Sequence, residues 1–138
     1  AAGVDEDTQF QLVLDSRGGD LVLGGDAGGA VRQWSVDTGE CIFSFEAHRD
    51  MVMSVSFSPD GERILTGSQD CTARLRRAET GECIRTLDGH LDAVIAVSFA
   101  PDGAQLLTGS WDATAKIWAG DTGECTRILQ GHLDKVTS

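Results

Sequence analysis

Thr80-Gly81-Glu82-Cys83 is the middle one of three copies: Thr38-Gly39-Glu40-Cys41 stands 42 residues before it and Thr122-Gly123-Glu124-Cys125 stands 42 residues after it. The same interval separates His48, His90 and His132, and it relates Ser58-Pro59-Asp60-Gly61 to Ala100-Pro101-Asp102-Gly103. Self-similarity at a fixed period, with no insertion, marks a repeat protein. Each repeat is a supersecondary unit that buries its apolar faces only by stacking on its neighbours.

Within a copy, the residue types alternate between strand and turn. Val94 to Phe99 is β-branched and apolar, and Pro101-Asp102-Gly103 closes it with a fixed φ, a backbone-bonding side chain and a residue tolerant of positive φ. Gln105 to Ser110, Ala113 to Trp118 and Glu124 to Leu129 follow as further strands, the last entered through Asp121-Thr122-Gly123. Turns at roughly 8 to 12 residue spacing predict an antiparallel meander and an all-β chain. Residues 93–134 and 51–92 follow this plan. Residues 9–50 form a degenerate first copy, in which Ser16-Arg17-Gly18-Gly19 replaces the Pro-Asp-Gly turn, Asp15 stands where Phe57 and Phe99 stand, and Asp26 and Gly28 replace Ser68 and Asp70. Trp34 and Leu21-Val22-Leu23 keep the pattern. Residues 1–8 match no copy and read as an acidic N-terminal tail; residues 135–138 match 93–96 and read as the start of a further unit.

The bulk composition, 41% hydrophobic and 24% charged, is that of a globular protein. A formal net charge of −11 disfavours nucleic acid and anionic membrane surfaces as partners, since both are held by clustered Lys and Arg. No signal-peptide pattern and no long apolar run is visible; the expectation of a cytoplasmic location rests instead on the cysteines being reduced. Cys41, Cys83 and Cys125 share one repeat position, which places them on equivalent strands beyond the ~7 Å Cα separation a disulfide needs. They are expected to be free thiols packed as small apolar groups. Without CxxC or closely spaced His, neither a metal nor a cofactor site is expected.

A 42-residue period with Gly-His at one end and Trp at the other resembles the WD-repeat family, over about residues 9–138. That resemblance implies a β-propeller: three four-stranded antiparallel blades (9–50, 51–92, 93–134) plus the start of a fourth. Closed propellers have roughly 4 to 8 blades. The chain is therefore expected to be a segment of a larger ring, or to self-associate or be completed by further blades. The resemblance also implies a hydrogen-bonded tetrad of His90, Ser110, Asp112 and Trp118, in which the serine hydroxyl bridges histidine and indole. His48, Ser68 and Asp70 repeat it one blade earlier, with Arg76 in place of the tryptophan. A hydrolase triad is the alternative use of His, Ser and Asp, but a catalytic set occurs once and this one recurs at blade spacing. Likewise Gly24-Gly25-Asp26-Ala27-Gly28-Gly29 lacks the Lys-Ser/Thr of a phosphate loop and reads as a turn.

Arg74, Arg76 and Arg77 are either a solvated strand edge or a contact for an acidic partner. Trp111 aligns with Gln69 and Ala27, so it is outside the tetrad, and either contacts a partner or packs on the neighbouring blade. The family's top face, where partners bind, would comprise Trp111, Gln69, Arg49, Met51, Met53, Leu91, Ala93 and Ile95. The function so implied is a non-enzymatic scaffold for a protein or peptide partner. A purely structural subunit is the first alternative, and a propeller-borne enzyme a remote one.

Overall fold

The computed structural model describes residues 8–14 and 21–130. The described residues form twelve strands: β1 (Thr8–Leu14), β2 (Leu21–Asp26), β3 (Ala30–Ser35), β4 (Cys41–Glu46), β5 (Val52–Phe57), β6 (Arg63–Ser68), β7 (Thr72–Arg77), β8 (Cys83–Asp88), β9 (Val94–Phe99), β10 (Gln105–Ser110), β11 (Ala115–Ala119) and β12 (Cys125–Leu129). They make three antiparallel sheets in plain meander order, β1-β2-β3-β4, β5-β6-β7-β8 and β9-β10-β11-β12. These are blades of a partial propeller, and the row of sheets does not close into a ring.

Local chemistry sets the strand ends. Gly61 and Gly103, at φ 74° and 73°, each turn the chain back after the first strand of a blade, and the amides of Gly61 and Gly103 return to Ser58 and Ala100 carbonyls. The third strand of the last blade starts at Ala115, two residues later than its composition suggests. Asp112 Oδ1 accepts the Thr114 amide at 2.9 Å and Ala113 sits at φ 70°, which keeps residue 113 in the turn. In the degenerate first blade, Asp26 caps the equivalent turn by accepting the Gly28 and Ala30 amides, both at 2.9 Å. Four strands form there despite the lost Pro-Asp-Gly, and the first opens at Thr8, inside the segment read as a tail.

The core lies between sheets rather than within one. Leu23, Val31 and Ala47 of the first blade and the loop after it meet Val52, Val55, Phe57 and Ile64 of the second. One repeat on, Leu65, Ala73, Leu75 and Leu87 meet Val94, Phe99, Leu106 and Trp118. Close approach at each seam is made possible by a glycine. A methyl group added at Gly25 would meet Val52 Cγ1 at 2.5 Å, and one at Gly67 would meet Val94 Cγ1 at 2.8 Å and the Val94 carbonyl oxygen at 3.1 Å.

The third blade carries the same apolar positions on its far side, with no sheet against them among the described residues. Leu107 is 37% exposed where its counterpart Leu65 is 0%, and Leu129 is 46% exposed where Leu87 is 0%. The thiols also depart from expectation. Cys83 and Cys125 are exposed and Cys41 half-buried, all three free, because they lie on the outermost strands, where no neighbour covers them.

The seam geometry predicts that Gly67→Ala destabilises the chain by roughly 1–3 kcal/mol, the cost of overpacking a fitted interface. Urea denaturation midpoints read this directly. Gly39→Ala, at a turn with nothing within 4 Å, supplies the comparison for a positive φ without a packing clash.

Candidate functional site

The four-residue turn β10–β11, the loop β8–β9 and the strand ends around them converge on one buried imidazole. His90 Nδ1 lies 2.9 Å from Asp112 Oδ2, and Nε2 lies 2.7 Å from Thr108 Oγ1. Trp118 Nε1 donates to the same Thr108 oxygen at 2.9 Å. The donors and acceptors sum only one way: the indole N–H donates to the threonine oxygen, the threonine hydroxyl donates to Nε2, and Nδ1–H donates to the carboxylate. Burial holds the imidazole below the ordinary histidine pKa, against the Asp112 carboxylate that favours its charge, so the ring is neutral as this pattern requires. Burial pushes the Asp112 carboxyl the other way, but the Thr114 hydroxyl, the Leu91 amide and His90 outweigh it and hold the group well below the usual carboxylate range.

The hydroxyl in this network is Thr108, which corrects the expected Ser110. Two residues along a strand amount to about 6.6 Å on the same face, and Trp118 pairs with Leu106, so its indole reaches diagonally to position 108 and stops there. Ser110 instead accepts the Asp112 amide at 3.0 Å and donates to the Asp92 carbonyl at 3.1 Å. Ser68 is displaced from the second network in the same way, donating to the Met51 carbonyl at 2.8 Å. The two serines thus tie the turn to the loop, outside the imidazole's first contacts. A serine and a threonine both recur at the 42-residue period, and no signal in the sequence separates them.

His48 makes the matching contacts, 2.9 Å to Asp70 and 2.7 Å to Thr66. Arg76 stands where Trp118 stands, and it is neither at a solvated edge nor available to a partner. It is 6% exposed, donates to the Ala47 and Gly81 carbonyls at 2.7 and 2.8 Å, and lies over the Phe45 ring. Arg74 shares the Ala47 carbonyl at 2.7 Å. Both guanidiniums bind the loop that the tryptophan would have braced, so only Arg77 is exposed. Burial lowers the Arg76 pKa, since its partners there are carbonyls rather than a carboxylate.

On the face above this network the candidates separate by accessibility. Arg49 and Leu91 are exposed; Trp111, Gln69, Met51, Met53 and Ile95 are half-buried. Ala93 is only 3% exposed and leaves the accessible set, because its carbonyl accepts the Trp111 amide at 3.0 Å and draws the loop against the turn. Among the described residues, no group of three or more His, Cys, Asp or Glu side chains converges as metal ligands would.

The network predicts unequal costs for one substitution. Thr108→Val keeps the shape but orphans two buried groups, His90 Nε2 and Trp118 Nε1, and should cost on the order of 3 kcal/mol; Thr66→Val orphans one ring nitrogen, His48 Nε2, with the loss of a long 3.4 Å bond to the Arg74 carbonyl, and should cost roughly half as much. Equal shifts in denaturation midpoint would mean that the indole bond contributes nothing.

No curated protein matches the chain. The family model of the WD domain, G-beta repeat, matches it twice, at residues 39–76 and 81–119. Each match begins before the outer strand of one sheet, β4 or β8, and ends in the third strand of the next, β7 or β11. The family's repeat therefore straddles two sheets, with the histidine loop at the crossing, and together the two matches span more than half of the sequence. By its strands, its repeat and these matches, the chain belongs to the WD40 repeat family.

Proposed function

We propose that the chain is a non-enzymatic scaffold that holds a polypeptide on the face carrying Leu91, Trp111 and Arg49. WD40 repeats generally mediate protein–protein interaction; the choice of face is the further step. The observation that supports it is the Leu91 amide, which donates to Asp112 Oδ2 at 3.0 Å while the Leu91 side chain is 90% exposed. The buried network holds the backbone of this residue and leaves a large apolar group in water, an arrangement with no use in the core. Arg49 repeats it through Asp70 at 3.4 Å. Trp111 and Arg49, assigned to the same face, are of the residue types enriched at binding hot spots.

A second reading, a structural subunit that stacks on another copy, is favoured by a different observation. The far side of β9–β12 bares Leu107 and Leu129 at the positions that the second blade buries against its neighbour. Covering them would continue the seam already present twice in the chain, and a head-to-tail contact of this kind builds rings or open filaments.

Two measurements separate these roles. Leu91→Asp and Trp111→Ala should each weaken retention of the wild-type chain's binding partners about tenfold or more. Leu91→Asp, at an exposed site, leaves the melting temperature unchanged; unaltered retention in both variants would move the interface elsewhere. For the structural role, sedimentation should show concentration-dependent association that Leu107→Glu abolishes. A stable monomer at micromolar concentration would overturn that reading.

A further inference from the structure

The two seams between blades are not equivalent at the end of the strands opposite the histidine loops. Between the second and third blades, two arginines cross the gap to backbone carbonyls. Arg63 donates to the Gly103 carbonyl at 2.7 Å with its guanidinium 5.4 Å from the Phe99 ring centre, and Arg85 donates to the Asp121 carbonyl. The cleft left there is about 410 Å³ and Arg63 lies in its wall.

One repeat earlier, the residues at these two positions are Leu21 and Phe43, neither of a type that donates a hydrogen bond. Phe43 follows the path of the Arg85 stem. A methyl group added at Gly81 would meet its ring at 3.2 Å, just as one added at Gly123 would meet Arg85 Cδ at 3.3 Å. The phenyl ring ends where the arginine continues to its guanidinium. The carbonyl positions that would receive the two guanidiniums are those of Gly61 and Glu79, and the cleft widens to about 690 Å³, walled by Gln33, Phe43, Gly61, Glu62, Arg77 and Glu79.

We infer that this cleft is a binding site for an arginine side chain of a polypeptide partner. The molecule fills the equivalent space one repeat on with guanidinium twice over, so by register the Gly61 and Glu79 carbonyls occupy the acceptor positions of a guanidinium site. Among the described residues of the wall, two carboxylates, Glu62 and Glu79, face one cation, Arg77, and this excess of negative charge favours a cationic group over an anionic one. Phe43 offers a ring face on which a planar guanidinium stacks, which a lysine ammonium exploits less well. The site lies at the other end of the strands from Leu91 and Trp111, so it stands or falls independently of the face assigned above.

The test uses the whole chain and a capped Gly-Ser-Arg-Ser-Gly peptide, followed by backbone amide NMR. Saturable shifts are expected at Gly61, Glu62 and Glu79, with affinity about fivefold weaker for the same peptide carrying lysine or the uncharged isostere citrulline. Glu79→Gln, on an exposed turn, should weaken binding, and Arg77→Gln should strengthen it. Phe43→Arg, which supplies the missing strap from within as Arg85 does, should abolish binding. Equal affinity for the arginine and citrulline peptides, shifts that persist in Phe43→Arg, or no saturable shift at all would overturn the proposal. Arg17, at the register of Pro59, lies outside the described residues, and binding that appears only in Arg17→Ala would also overturn it, since the cleft would then be occupied by the chain itself.

Discussion

The buried imidazole is the constraint from which the arrangement of each blade follows. A loop leaving the outermost strand of one sheet must be brought back to the innermost strand of the next, and the backbone of such a loop has no ladder to hold it. His90 does this through two side chains of the sheet it is entering, Thr108 on the second strand and Asp112 on the turn beyond. Because the ring is buried and neutral, each of its nitrogens needs a partner of the opposite kind, and satisfying both fixes the loop in one position. The same carboxylate then takes the amide of the next residue, Leu91, so a core hydrogen bond decides what the surface presents.

Repetition lets the consequences of substitution be read inside one molecule. The second blade has lost the indole, yet His48 keeps both its contacts, and the loop is braced instead by two guanidiniums on the Ala47 carbonyl. Trp118 stabilises the network from beneath the histidine, whereas Arg76 bypasses it and grips the backbone. The first blade goes further, replacing serine by Asp26 so that one side chain caps the turn, while the Gly29 carbonyl accepts the amides of Ala47 and His48. The loop carrying His48 is therefore held from both of the sheets it joins, by the turn of the first blade and by side chains of the second.

The seams show the complementary effect, in which the fold is kept and the chemistry at its edge changes. Glycine at 25 and 67 admits the neighbouring sheet at both seams, so the apolar contact between blades is common to the two. Among the described residues, arginine straps cross only one of the two seams, and the other, whose core is otherwise the same, carries the wider cleft. Surface features arise in this way at positions that are not needed for packing.

The period, the strand order and the all-β class were legible in the sequence because each rests on spacing, and spacing survives in a linear text: Pro-Asp-Gly turns, alternating apolar residues and His48, His90 and His132 at equal intervals. Family membership was legible for the same reason. What the sequence alone could not decide was which of two recurring hydroxyls sits under the ring, since Thr108 and Ser110 face the same way and only the pairing of Trp118 with Leu106 sets the reach of the indole. It also could not place Arg76 in the interior, because an arginine in a polar run reads as solvated until a buried carbonyl is found beside it. The cleft at residues 43 and 79 was invisible for a further reason: it exists between repeats, and its character depends on two side chains that meet only after neighbouring sheets have stacked.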